Sequence, residues 1–182
     1  MKKYLITDPT LYPPSHFFSL LESAFQRHSP NIALLRGYDA QEFASSFISL
    51  CHRYNVLAFI SGNLKIAIQK GFDGVHFKST QIQQLKEKPD NILSFYSAHS
   101  LQDILSAQQY CADAVTLSPI FKTPNKGEPL GIQYLVRILH DSRINIDIFA
   151  LGGILSHHIH QLQNLPLAGF AAIRYFADLN NT

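Results

Sequence analysis

Eight short apolar runs punctuate this chain, with helix-length sequence between most neighbours. They are Tyr4–Thr7, Ile32–Leu35, Val56–Ile60, Gly74–Phe77, Leu93–Ser97, Ala114–Ser118, Asp147–Leu151 and Gly169–Ile173. Most are apolar almost without interruption, the pattern of parallel strands covered on both faces. Phe43, Phe47, Leu50 and Tyr54 recur at helical spacing, as do Ile132, Leu135, Val136 and Leu139. Leu155, Ile159 and Leu162 repeat it more briefly, and each set marks one buried helix face. Asp39 and Ser100 precede periodic runs as N-caps, and Gly71 stands where a helix ending at Lys70 needs a left-handed residue.

Strands and helices in this alternation predict an α/β fold, a compact (β/α)8 barrel. At 182 residues the chain is short for one, since roughly 200 residues is the usual lower bound. Two economies are expected: about two helical turns across Asn63–Lys70, and a shortened last helix in Tyr175–Thr182. An open flavodoxin-like sheet is the alternative, and it usually needs fewer strands. The whole chain, 1–182, reads as one domain with no linker.

Composition narrows the function. A net charge of +2 with scattered lysines and arginines excludes the basic stripe of a nucleic-acid binder. No apolar run reaches the length of a membrane span. The N-terminus has no signal-peptide pattern, and Cys51 and Cys111 lie far apart, so the expectation is a reduced cytoplasmic protein with two buried thiols.

In a barrel the functional groups follow the carboxyl ends of the strands. Those positions hold Asp8, Arg36, Ser61 to Asn63, His76 with Lys78, Ser97 with His99, Thr123 to Lys126, Gly152-Gly153 and Arg174. Such a cationic rim suits an anion. The segment Ser118-Pro119-Ile120-Phe121-Lys122-Thr123-Pro124-Asn125-Lys126-Gly127 passes from apolar strand to polar, basic loop. Gly152 and Gly153 let a backbone approach a phosphate, or else serve a tight turn needing positive φ. Arg174 is placed to fork onto the same phosphate.

Read in order, these motifs resemble the thiamine phosphate synthase/TenI family. The motifs are Tyr4-Leu5-Ile6-Thr7-Asp8, Gly74-Val75-His76, Ser97-Ala98-His99-Ser100, Ala112-Asp113 with Ser118 to Thr123, Lys126-Gly127, and Ala150 to Ile154. The resemblance implies a (β/α)8 barrel of thiamine biosynthesis that takes a small phosphorylated thiazole or pyrimidine ligand. Synthase members join a pyrimidine diphosphate to a thiazole phosphate and release pyrophosphate with Mg²⁺; TenI-type members aromatise the thiazole phosphate without metal. On the family pattern Thr123 and Lys126 contact phosphate, with Asn125 in place of a second threonine. Ser97 matches the serine ending the fifth strand. Gly152 and Gly153 match the glycines that hold the thiazole phosphate, and Arg36 an arginine on pyrophosphate.

The chain departs from both patterns. Where synthases carry glutamine, arginine and lysine it has Leu34, Arg36 and Tyr38. Ser61-Gly62 replaces an Asn-Asp pair, and Gln81 a second metal-binding aspartate. A hard cation bridging pyrophosphate normally needs one or two carboxylates, so the expectation is no cofactor, with Mg²⁺ only if the chain is a synthase. Asp73, Asp90 and Asp103 are the carboxylates to check, all expected at the surface. Pro119 stands where TenI-type enzymes place an acid/base histidine, leaving His76 and His99 as proton shuttles or as structural histidines. Three readings follow: a TenI-like thiazole tautomerase, a Mg²⁺-dependent synthase, and a non-catalytic binding protein. Tyr38 or Tyr175 would stack at the mouth or plug it. His157, His158 and His160 read as a solvated helix face. A homodimer would cover apolar barrel surface left by the shortened last helix.

Overall fold

The computed structural model describes residues 1–124 and 126–177. Eight parallel strands close into a barrel in sequence order: β1 (Lys2–Ile6), β2 (Ile32–Leu35), β3 (Leu57–Ser61), β4 (Gly74–Phe77), β5 (Leu93–Ala98), β6 (Ala114–Leu117), β7 (Asp147–Leu151) and β8 (Gly169–Ala172). Tyr4 of β1 pairs with Ala171 of β8, which seals the ring. Each lies within two residues of its predicted run.

The helices are α1 (Phe17–His28), α2 (Ala40–Arg53), α3 (Leu64–Lys70), α4 (Leu101–Gln109), α5 (Gly131–Leu139) and α6 (Ile159–Gln163). The Asp39 and Ser100 side chains accept from the first-turn amides of α2 and α4, and Gly71 ends α3 at φ 80°. The chain is economical in one further place: after β4 the connection is a 3-10 stretch, Ile82–Glu87. After β8 comes a 3-10 turn, Arg174–Ala177, and residues 178–182 of the expected last helix lie outside the described residues. Phe176 of that turn is buried and lies nearly parallel to the outward ring of Phe170, with centroids 6.0 Å apart. Phe170 itself is 1 % exposed, so this turn covers it within the chain. No helix among the described residues is long and apolar enough to cross a membrane.

The inward residues stack in layers, as barrel closure requires. Tyr4, Phe59, Phe95 and Phe149 come from the odd strands and form one aromatic layer. Phe95 lies 4.9 Å from Tyr4 and 4.8 Å from Phe149 between ring centroids. The Phe95–Phe149 pair is edge-on, and such pairs contribute on the order of 0.5–1.5 kcal/mol each beyond area burial. Four rings fit one cross-section because three of the even strands answer with Gly74, Ala114 and Gly169. A Cβ on Gly74 would meet the Phe59 ring at 2.3 Å, and one on Gly169 the Phe149 ring at 2.2 Å. Above lie Leu34, His76, Thr116 and Ala171, and above those Ile6, Ser61, Ser97 and Leu151, in the alternation that the strand register sets.

The opposite end is pinned by short polar side chains that precede even strands. Asn31, Asp73 and Asp113 accept from the backbone amides of Lys3, Ala58 and Ser94 at 2.7–2.8 Å. Asp73 also meets His52 Nε2 at 2.9 Å, so this carboxylate sits at the end of the barrel away from the mouth. Cys51 is buried as expected; Cys111 is instead exposed, on a turn at φ 58°.

Candidate functional site

The mouth is built by the loops that follow the strands, and its charges are partly paired. Arg36 reaches back across β1, with its Nη2 2.7 Å from Asp8 Oδ2 and its Nε donating to the Thr7 carbonyl at 3.3 Å. Burial alone would raise the Asp8 carboxyl, but hydrogen bonds from Thr10 and the Arg36 charge outweigh it and hold the carboxyl below its ordinary value. Arg36, predicted to meet pyrophosphate, is thus already held by a carboxylate.

Gln81, expected to stand in place of a metal-binding aspartate, ties two loops together. Its Oε1 accepts from the Lys78 amide at 2.9 Å, and its Nε2 donates to the Gly62 carbonyl at 2.8 Å. The amide therefore ties the loop after β3 to the loop after β4. Asp103, half-buried rather than exposed, accepts from the His99 amide and the Ser100 hydroxyl, both at 2.9 Å. Asp90 is exposed. Among the described residues no three His, Cys, Asp or Glu side chains converge to hold a metal. An amide nitrogen donating at Gly62 and a carboxylate spent on a helix start do not make the donor set that Mg²⁺ needs. These residues do not fit the ion.

The loops after β6 and β7 are zipped together. Ile120 donates to the Leu151 carbonyl at 2.9 Å and Phe121 to the Gly152 carbonyl at 3.0 Å. Gly152 and Gly153 have φ of 97° and 67°. A Cβ on Gly152 would lie 2.7 Å from Pro119 Cα. The pair is thus required both for its turn and for close approach of the neighbouring backbone. Thr123 turns its hydroxyl onto the Phe121 carbonyl at 3.0 Å, while Lys126 and Arg174 are exposed. Asn125 lies outside the described residues. His158 is not simply solvated: its ring stacks on Phe121 at 3.8 Å, and its Nδ1 accepts from the Leu155 amide at 3.2 Å. The stack and that hydrogen bond clamp the β6 loop over the turn after β7.

The two candidate histidines occupy different worlds. His76 points into the barrel, 6 % exposed, with Tyr4 Oη 3.0 Å from Nδ1 and Ser97 Oγ 3.1 Å from Nε2. Burial, with a smaller push from the Arg36 charge, lowers its pKa to about 3, so it is neutral at physiological pH. His99 is exposed at the edge between β5 and β6, with Nδ1 2.9 Å from the Ser118 carbonyl. A carbonyl only accepts, so Nδ1 carries a proton, and a neutral ring so held keeps its lone pair on Nε2. The geometry favours His99 over His76 as a group able to take a proton from a ligand.

Tyr38 and Tyr175 are both packed on aromatic neighbours. Tyr38 packs on Phe17 at 4.5 Å and gives its hydroxyl to the Tyr12 carbonyl; Tyr175 packs on Phe170 at 5.1 Å. The predicted site omits Tyr4 and Thr116, whose hydroxyls both meet His76. Thr116 had a visible signal, a lone polar residue between Val115 and Leu117. Tyr4 had none beyond its inward parity with Ile6.

Residues 3–176 match the family model for thiamine monophosphate synthase. The chain is 30% identical over 183 aligned residues to a protein of Aquifex aeolicus (strain VF5) provisionally named thiamine-phosphate synthase 2, covering 96% of this chain and 97% of that one. It is 24% identical to thiamine-phosphate synthase 1 of Streptococcus pneumoniae (strain ATCC BAA-255 / R6), across 100% of this chain and 94% of that one. The solved structure of thiamine phosphate pyrophosphorylase from Pyrococcus furiosus superposes with a TM-score of 0.84 over 98% of this chain and 89% of that one. At 22% identity that likeness speaks to the fold alone.

Proposed function

The chain belongs to the thiamine monophosphate synthase family, and on that premise we propose that it is a TenI-like member that binds a thiazole phosphate and shifts a proton on its ring without metal. Thr123, Lys126, Gly152, Gly153 and Arg174 would hold the phosphate, with Ser97 beside them. Arg36 is drawn away from this group by Asp8. His99 Nε2 would take a proton from one ring position of the bound thiazole and return it at another. That transfer leaves the ring isomerised and the histidine neutral again.

The observation that carries this reading is the 2.9 Å contact of His99 Nδ1 with the Ser118 carbonyl, which holds the ring at the start of the β6 loop; a neutral ring so held has its lone pair on Nε2. The synthase reading asks for a departing pyrophosphate to be neutralised, a large electrostatic demand. Gln81 and Ser61-Gly62 supply no carboxylate toward it.

The test is purified protein with pyrimidine diphosphate and thiazole phosphate, with and without Mg²⁺, run in parallel with solvent deuterium exchange into the thiazole ring. The expected result is exchange that needs no metal and is lost in His99→Ala. Magnesium-dependent formation of thiamine phosphate at ordinary enzymatic rates would overturn it.

A further inference from the structure

Tyr4, His76 and Ser97 lie in three successive layers of the barrel and form a hydrogen-bonded column along its axis. The Tyr4 hydroxyl, fully buried, is 3.0 Å from His76 Nδ1 and has no other hydrogen-bond partner among the described residues. His76 Nε2 is 3.1 Å from Ser97 Oγ and 3.2 Å from Thr116 Oγ1. Ser97 alone of these is half-buried and borders the mouth.

A neutral imidazole has one N–H and one acceptor nitrogen, so the column runs in one of two directions. If Nδ1 carries the proton, it donates to the Tyr4 oxygen, and the phenol hydrogen is left without an acceptor among Phe59, Phe95 and Phe149. Stranding a donor in apolar surroundings forfeits its hydrogen bond to water with nothing in return. If Nε2 carries the proton, Tyr4 donates to Nδ1, and Nε2–H donates to the hydroxyl oxygens of Ser97 and Thr116. The unpaired hydrogens are then those of Ser97, half-buried at the mouth where a ligand can accept it, and of Thr116, buried beside Ser97 across the β5–β6 ladder. The second direction keeps the phenol hydrogen paired in its apolar layer and places the Ser97 hydrogen where a ligand can meet it.

We propose that Tyr4 and His76 are positioning residues that hold the Ser97 hydroxyl as a hydrogen-bond donor to an acceptor-only group of the ligand, such as a phosphate oxygen. This rests on the reading that the mouth takes a phosphorylated ligand. It adds a selectivity: Ser97 favours a group that only accepts over one that must donate. A neutral His76, kept so by burial, is what such a column needs, since a charged ring would donate from both nitrogens and turn the phenol away.

Two measurements on the full chain test it. Two-bond nitrogen–proton correlation spectra of protein labelled with ¹⁵N-histidine report which His76 nitrogen is protonated. The expected result is a proton on Nε2 in the native protein and a mixed tautomer in Tyr4→Phe. Calorimetric titration with thiazole phosphate then completes a double-mutant cycle. Ser97→Ala should weaken binding roughly tenfold in the native background, the scale of a hydrogen bond to a charged group, and only about twofold with Tyr4→Phe already present. A proton on Nδ1, or losses that simply multiply, would overturn the proposal. If the native protein binds no thiazole phosphate, the ligand reading falls, while the tautomer still decides the direction of the column.

Discussion

Gly153 lies against the carbonyl oxygen of Lys122 so closely that a Cβ there would sit 2.5 Å from it. Its φ of 67° is itself one that L side chains rarely adopt. The turn after β7 and the loop after β6 therefore behave as one unit, and the phosphate groups assigned above depend on both. Gly153→Ala is expected to lower stability by about 1–3 kcal/mol through backbone strain. It should also displace the Lys122–Thr123 backbone and weaken thiazole phosphate binding more than thermal denaturation alone explains. Urea denaturation and calorimetry on the same sample separate the two effects.

Phe59 and Gly74 make the matching test of the core. The ring of Phe59 occupies the space where a Cβ on Gly74 would lie. Overpacking of this kind costs about 1–3 kcal/mol, and Gly74→Ala should show it as a lower urea midpoint. Adding Phe59→Leu should return part of that loss, making the double variant more stable than Gly74→Ala alone. Equal or additive destabilisation would mean that the aromatic layer is not what confines Gly74.

The strands were legible because parallel strands buried on both faces are continuous apolar runs, and β2, β4 and β7 match their predicted runs residue for residue. Asp39, Ser100 and Gly71 were legible because capping is local chemistry. Helix α1 was not singled out, although Phe17, Leu21, Ala24 and Phe25 form its buried face. The strand-end positions of Arg36, Ser97, His99 and Gly152 could be read in order. What each one touches could not. The Arg36–Asp8 pair joins neighbouring loops, and the Tyr4–His76–Ser97 column joins three strands through barrel stagger. Neither spacing nor periodicity encodes such contacts. His158 stacks on Phe121 across 37 positions of sequence, and only the zipped β6 and β7 loops bring them together.

Acid should expose His76. Its pKa is lowered to about 3 in the folded chain by burial and then by the Arg36 charge, whereas an unfolded histidine titrates near ~6.5. The unfolded state therefore binds the proton first. The stability associated with a neutral His76 is complete above pH ~6.5 and is lost progressively as pH falls toward about 3. Urea midpoints measured from pH 7 to pH 4 should fall more steeply for the native chain than for His76→Gln. Parallel curves would mean that His76 is not buried neutral.

The central claim is that the mouth takes a thiazole phosphate with no help from a metal, because Gln81 ties Lys78 to Gly62 where a metal carboxylate would stand. Calorimetric titration of the purified chain with thiazole phosphate, with Mg²⁺ and again with a chelator, tests this most directly. The account predicts saturable one-to-one binding of equal affinity in both conditions. No binding in either, or binding that appears only with Mg²⁺, would contradict it.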